Sequence, residues 1–240
     1  DKNWDFLPKI LNYKPLTMGR INGLPLYRYR FSSKNKLLIL TKIIENLQTI
    51  HNSQKPIRGN FYQNNHEIYL DKTRRRLDSV ADIIPHINTK TLPINGEKVL
   101  NPYLNWRKIE KITIPLFTNT YVPIHGDLTF SNTLFEPHKN KVFLIDPRGY
   151  FGTTKIYGDP DYDWAKLYYS VIGNYDQFNR KRFKLKISDK EIRLNVDSNG
   201  YSQLKQDFFN ITGADPNKIE ILHGIIWPSL SSCLLYPSDA

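Results

Sequence analysis

The feature that most constrains this chain is the stretch His125-Gly-Asp-Leu-Thr-Phe-Ser-Asn132, followed by Ile145-Asp-Pro-Arg-Gly149. An apolar approach, Tyr121-Val-Pro-Ile-His125, leads into a polar loop, and two short strand patterns follow, Thr133 to Glu136 and Lys141 to Ile145. Asp127 and Asn132 stand five apart, so both project from a single turn. The returning hairpin carries Asp146 to a strand end just before Gly149. A fold that accommodates this order displays loop residues at strand ends, in one cleft.

The 240 residues suffice for one large domain, and no repeat, low-complexity tract or Gly/Ser linker divides them. An apolar share of 40% with clear periodicity predicts a packed globule rather than a disordered chain. No apolar run reaches the length of a membrane span, and the first residues lack the basic start and apolar stretch of a secretory signal. The single cysteine, Cys233, excludes an intrachain disulfide and a cysteine-rich zinc site, and fits a reducing cytoplasm. The formal charge of +11 would suit a polyanionic partner if it were clustered. Lys and Arg are instead spread from end to end beside abundant Asn and Ile, so nucleic acid is not the expected partner. The densest run, Arg74-Arg75-Arg76, reads as the solvated face of a helix.

Along the chain, Phe6 to Tyr13 and Leu24 to Phe31 read as strands, with Leu16 to Gly23 as a connector. Leu37, Leu40, Ile43, Ile44, Leu47 and Ile50 predict a helix from Lys34, with Ser33 as N-cap. Further helices are expected over Glu67 to Ile84, within Pro102 to Ile112, from Asp161 to Ile172, over Tyr201 to Ile211 and over Pro216 to Trp227. Phe183 to Val196 reads as a hairpin turning near Ser188-Asp-Lys190.

Phosphoryl transfer from a nucleotide requires a carboxylate to orient the acceptor hydroxyl and oxygen ligands to hold magnesium against the phosphates. Asp127, Asn132 and Asp146 are the candidates. The D-x-x-x-x-N spacing is that of a kinase catalytic loop, and magnesium, which keeps several waters, needs no histidine cluster.

On His125 to Asn132 and Ile145 to Gly149, the chain resembles the aminoglycoside phosphotransferase and choline kinase superfamily, a branch of the protein-kinase-like fold. Leu47-Gln-Thr-Ile-His51 and Gly158-Asp-Pro-Asp-Tyr-Asp-Trp-Ala-Lys-Leu167 extend the resemblance, which covers roughly Leu16 to Ile172. It implies an α+β fold, mainly the helical C-terminal lobe with the last strands of the small N-terminal lobe. Residues 1–31 would be a remnant of that lobe and the hinge, 32–232 the catalytic lobe. It implies Asp127 as catalytic base, Asn132 and Asp146 as magnesium ligands, and His125 and Asp163 as structural support, with Asp163 bracing the loop or capping its helix. Asp159 is read as a turn residue. Met18, Gly19 and Arg20 would lie in the hinge that meets adenine. ATP or another nucleoside triphosphate and Mg2+ are the implied cofactors, with a small hydroxyl compound such as a sugar, amino alcohol or aminoglycoside as acceptor.

Pro147 and Arg148 stand where protein kinases carry phenylalanine before the glycine, which points to a small-molecule enzyme; Arg148 is expected to pair with a local acid. No G-x-G-x-x-G or P-loop pattern occurs, and no strand carries a convincing phosphate-pairing lysine. The chain is therefore expected to begin partway through a longer protein. Residues 233–240 resemble a translated sequencing adapter and are read as a non-native tail. Tyr162, Trp164, Tyr168, Tyr169, Tyr175 and Phe178 are read as core rather than as a cage for a quaternary ammonium. The alternatives are a catalytically silent pseudokinase module of a larger biosynthetic protein, or a protein kinase-like enzyme.

Overall fold

The computed structural model describes residues 4–231; Cys233 and the tail at 233–240 lie outside the described residues. The architecture is α+β. In chain order, β1 (Ile10–Tyr13) and β2 (Leu16–Met18) form an antiparallel hairpin, and β3 (Leu24–Pro25) runs into a 3-10 turn before α1 (Ser33–His51). Then come β4 (Ile57–Arg58), α2 (Tyr62–His66), a π-helical turn at Glu67–Asp71 and α3 (Lys72–Asp78). An excursion follows of β5 (Thr91–Ile94), β6 (Glu97–Leu100) and α4 (Trp106–Thr113). The strands β7 (Thr120–Pro123), β8 (Thr133–Glu136), β9 (Lys141–Leu144), β10 (Tyr150–Phe151), β11 (Thr154–Lys155) and β12 (Tyr157–Gly158) frame the motif region. Last are α5 (Pro160–Val171), α6 (Tyr175–Asn179), β13 (Phe183–Ile187), β14 (Ile192–Val196), α7 (Lys205–Thr212) and α8 (Pro216–Ile226).

Two hydrophobic cores carry the fold. The apolar face of α1 buries Ile39, Leu40, Ile43, Ile44, Leu47 and Ile50 against β8, β9 and α7. Each such side chain contributes about 1.5–3 kcal/mol by leaving water. The second core joins Ile68, Tyr69 and Leu70 of the π turn to Tyr121 of β7 and to Leu222, Ile225 and Ile226 of α8. Helix α5 lies between them: Trp164, Leu167, Tyr168 and Val171 enter the first core, and Tyr162, Ala165 and Tyr169 the second. Tyr175 and Phe178 are partly buried, Tyr175 stacking on Tyr169 and Phe178 lying edge-on to Trp227, so these aromatics form core and no open cage.

The sheets place the strand ends that matter. β3 pairs with β8, and β8 with β9 in antiparallel register from Thr133 opposite Leu144 to Glu136 opposite Lys141. Gly23 is required where the chain crosses β8, since a Cβ there would sit 2.6 Å from the Phe135 carbonyl oxygen. β7 lies between β12 and β4. The hairpin of β13 and β14 turns at 188–191, as its alternation predicts.

Several local expectations are revised. Ser32 caps α1, its hydroxyl accepting from the Asn35 N–H at 3.4 Å; Ser33 is the first helical residue. Leu24 to Phe31 forms a paired strand only at its first two residues, because Leu26, Tyr27 and Arg28 form the 3-10 turn. The supposed connector from Leu16 contains β2. The helix expected over Glu67 to Ile84 runs instead from Tyr62 to Asp78, opened by the Asn60 side chain accepting from the Tyr62 N–H at 3.1 Å. Of the three consecutive arginines only Arg75 is solvated. Arg74 pairs with Asp78 and stacks on Tyr103, while Arg76 donates to the Ser229 carbonyl at 2.6 Å. The β5–β6 hairpin went unread although Asn95-Gly96, both at positive φ, is the two-residue turn that favours such hairpins. It extends the β13–β14 hairpin into a four-stranded sheet.

His223 of α8 gives this packing a pH dependence. Its Nε2 accepts from the Trp227 indole N–H at 2.8 Å, which only a neutral imidazole can do, and burial pulls its pKa from 6.5 to about 4 against the opposing charge of Glu220. The unfolded chain thus binds this proton first, so the contribution is present above pH 6.5 and is lost as pH falls towards 4. The urea midpoint of the protein is expected to drop more between pH 7 and pH 5 than that of His223→Gln. Equal drops would rule this out.

Candidate active site

Two faces of α5 are taken by the cores, and Asp163, Lys166 and Ser170 form a polar stripe between them at helical spacing. Asp159 caps the helix by accepting from the Asp161 N–H at 3.0 Å, and Pro160 occupies its first turn, where its missing N–H costs nothing. Asp159 is fully buried, takes a hydrogen bond from Tyr69 at 3.0 Å and lies near Lys218; burial raises its pKa to about 6. It is therefore more than a turn residue.

The stripe holds the motif loop residue by residue. Asp163 accepts from the His125 N–H at 2.8 Å, from the Gly126 N–H at 2.7 Å and from His51 Nε2 at 3.0 Å. Lys166 Nζ meets Asp127 Oδ1 at 2.6 Å, and the Ser170 hydroxyl accepts from the Phe130 N–H at 3.1 Å. Beyond the stripe, Ser131 donates to Asp176 of α6 at 2.6 Å. Gly126 sits at φ +81, and a Cβ there would lie 2.9 Å from that of Arg148, so glycine is dictated twice over.

The strand end is tied to the loop from the other side. The His125 ring donates through Nε2 to the Ile145 carbonyl at 3.0 Å and accepts at Nδ1 from the Asp127 N–H at 3.3 Å, while the Arg148 N–H reaches the His125 carbonyl at 2.7 Å. Burial holds this imidazole below its ordinary pKa despite the neighbouring Asp163, in keeping with the neutral tautomer those bonds need. The Ile145 N–H donates to the Asn132 carbonyl at 3.0 Å, which sets Asp146 beside Asn132. Asp146 is exposed, at φ +58, a left-handed conformation that Asp tolerates better than most residues.

Burial would raise the Asp127 carboxyl, but the Lys166 ammonium, helped by Arg148, outweighs it and holds the group below the usual carboxylate range. Asn132 donates from Nδ2 to the Asp127 carbonyl at 2.8 Å, which turns its amide oxygen away as a free acceptor. That oxygen and the carboxylate of Asp146, the residue after the Ile145 that is bonded to Asn132, are hard donors of the kind magnesium takes, with water and phosphate completing the shell. No group of three or more His, Cys, Asp or Glu side chains suited to a metal occurs among the described residues. Met18 ends β2 and Gly19 follows it, its N–H donating to the Lys9 carbonyl at 2.7 Å; neither these two nor Arg20 bonds to Asp127, Asn132 or Asp146.

Two residues absent from the sequence reading matter here. Lys166 was visible as the residue one helical turn after Asp163, on the same face. Lys72 had no local signal, because only the tertiary fold brings α3 to the loop. Arg148, expected to pair with an acid, instead donates to the Tyr162 hydroxyl at 3.0 Å and stacks over Tyr150. Lys72 and Arg148 both line a cavity of about 670 Å³ and both lie within electrostatic reach of Asp127. Neither this cavity nor one of about 890 Å³ between Leu26–Phe31 and Asp197–Tyr201 is lined by Asp127, Asn132 or Asp146.

No protein-family model and no curated protein matches this sequence. Among solved structures the chain is similar to aminoglycoside phosphotransferase APH(3'')-Id from Streptomyces rimosus, with a TM-score of 0.51 and 17% identity over 94% of this chain and 75% of that one. Against the same enzyme in complex with ADP and streptomycin the TM-score is 0.53, again at 17% identity, over 94% of this chain and 76% of that one. The likeness is one of fold: the chain has the protein-kinase-like fold of aminoglycoside phosphotransferases.

Asp163→Asn replaces one carboxylate oxygen by an NH2 group that would face a buried donor. It is expected to cost about 3 kcal/mol of stability, since a buried donor is left unmatched and a charge-assisted bond is lost. Equilibrium urea denaturation measures this, and a loss well under 1 kcal/mol would show that the loop does not depend on this carboxylate.

Proposed function

We propose that this chain is the catalytic part of an ATP-dependent phosphotransferase that moves the γ-phosphoryl group to a hydroxyl of a small molecule. The observation that carries this reading is the convergence of Asp127, Asn132 and Asp146 at one loop and strand end, locked together through His125 and Ile145. The fold supports it, as does the complex of the structurally similar enzyme with ADP and streptomycin.

In this reading Asp127 accepts a hydrogen bond from the acceptor hydroxyl and aims its oxygen at the γ-phosphorus. As the new P–O bond forms, the bond from phosphorus to the β,γ-bridging oxygen breaks, ADP departs, and the hydroxyl proton passes to Asp127. Phosphoryl transfer through a loose transition state asks more for positioning than for a strong base. A carboxylate kept ionised by Lys166 meets that demand. Asn132 Oδ1 and Asp146 would hold Mg2+, which neutralises charge on the phosphates when bound. Met18, Gly19 and Arg20 are assigned to the adenine side of the nucleotide site.

Asp127→Ala is expected to lower kcat for phosphoryl transfer by about 10²–10⁴-fold, the usual range for loss of a general base. The far-ultraviolet circular dichroism should be unchanged. Undiminished turnover in a folded variant would sink the assignment. Asp146→Asn, which removes a charged ligand, should weaken magnesium-ADP binding in calorimetry while leaving metal-free ADP unaffected; equal affinities would remove Asp146 from the metal site.

A further inference from the structure

The cavity of about 670 Å³, whose Lys72 and Arg148 lie within electrostatic reach of Asp127, carries three cations that meet no carboxylate among the described residues. It is lined by the π turn and α3 on one side and by Arg148, Tyr150, Gly152 and Thr153 on the other. π turns of this kind recur at functional sites, because the widened turn re-aims the side chains that follow. Of the charged groups on the wall, Arg75 is spoken for by Glu67, to which it donates from both terminal nitrogens, one at 3.1 Å. Asp71 is taken by His66 Nδ1 at 2.9 Å. That leaves Lys72, Arg76 and Arg148. Arg76 donates to a backbone carbonyl and Arg148 to a tyrosine hydroxyl, so neither guanidinium meets a carboxylate. Lys72 has no hydrogen-bond or ion-pair partner among the described residues.

Three cations converging on one cavity repel each other, and a protein gains nothing from that arrangement in isolation. Burial and then the positive charges of Arg148, Arg76 and Lys166 lower the Lys72 ammonium to about 7, with Asp127 as the opposing influence. An anion in the cavity would reverse the balance, restoring the proton to Lys72 and gaining charge-assisted hydrogen bonds. A polycation would meet the same wall as repulsion.

Resting on the phosphotransferase reading, we infer that the acceptor is a hydroxyl compound bearing an acidic group, a phosphate or a carboxylate, which Lys72, Arg76 and Arg148 receive in this cavity while its hydroxyl faces Asp127. The site then selects against cationic aminoglycosides, in contrast to the streptomycin bound by the enzyme of similar fold. Lys72 is the specificity-determining residue, since alone among the charged groups of this wall it has no hydrogen-bond or ion-pair partner among the described residues.

The test is calorimetric titration of the protein with D-glucose 6-phosphate, D-glucuronate, D-glucose and streptomycin, repeated in Lys72→Met and Lys72→Arg. At least one of the two acidic sugars should bind about tenfold or more tightly than glucose, and which one does so distinguishes phosphate from carboxylate. Lys72→Met should erase that advantage, a loss of about tenfold for one charged hydrogen bond, and Lys72→Arg should keep most of it. Streptomycin binding as tightly as the acidic sugars, or an advantage that survives in Lys72→Met, would overturn the inference. So would ADP that displaces glucose 6-phosphate competitively and is itself weakened by Lys72→Met, because the cations would then serve the nucleotide. Acidic-sugar binding that depends on Lys72 in a protein unable to bind magnesium-ADP would sink the phosphotransferase reading and leave the anion cavity standing. Magnesium-ADP binding with no preference among the sugars would do the reverse.

Discussion

Asp163 accepts two consecutive backbone N–H groups of the motif loop and the imidazole that ends α1, all from within the interior. A buried carboxylate is costly unless each lone pair is engaged, and here the donors come from two separate parts of the chain. The contact therefore works in both directions. The loop cannot take another path without stranding the charge, and α5 cannot rotate without stranding the loop. Lys166 and Ser170 repeat the arrangement one and two turns further along. The geometry of the site thus follows from the seating of one helix between two cores.

That seating also governs the electrostatics. Asp127 is held ionised by an ammonium that the same helix supplies, and Lys166 in turn is kept protonated by Asp127 although burial opposes it. Each charge makes the other tolerable. Arg148 and Lys72, which carry no carboxylate partner among the described residues, lie within electrostatic reach of this pair. In the proposed reaction, chemistry and selectivity would draw on different elements: α5 for the first, the π turn and α3 for the second.

Much of this was legible in the sequence wherever a short segment carries its own geometry. The spacing of Asp127 and Asn132, the alternation of β8, β9 and the 183–196 hairpin, and the apolar rows of α1 and α8 each encode a local period. The misplaced boundaries fall where capping decides. Ser32 and Ser33 are indistinguishable by type, and Asn60 opens its helix seven residues before the first residue expected in it. Lys72 lay beyond reach for a different reason: its role depends on how α3 packs beside the loop, and nothing within four residues reports that. The Asn95-Gly96 turn is legible by type, but its hairpin is completed only at long range, where β5 pairs with β14 about a hundred residues away.

The position of α5 has a consequence for how the site moves. The His125 and Gly126 amides are sealed by a carboxylate whose helix is a wall of both cores, so solvent reaches them only when those cores separate. Their exchange with deuterium would then belong to the global opening of the domain and not to loop breathing. Asp146 and Tyr150, exposed at the other edge of the site, are free of that constraint. The site thus has one edge sealed between two cores and one edge open to solvent; in the proposed reaction the base would stay where the helix puts it while the metal side meets solvent.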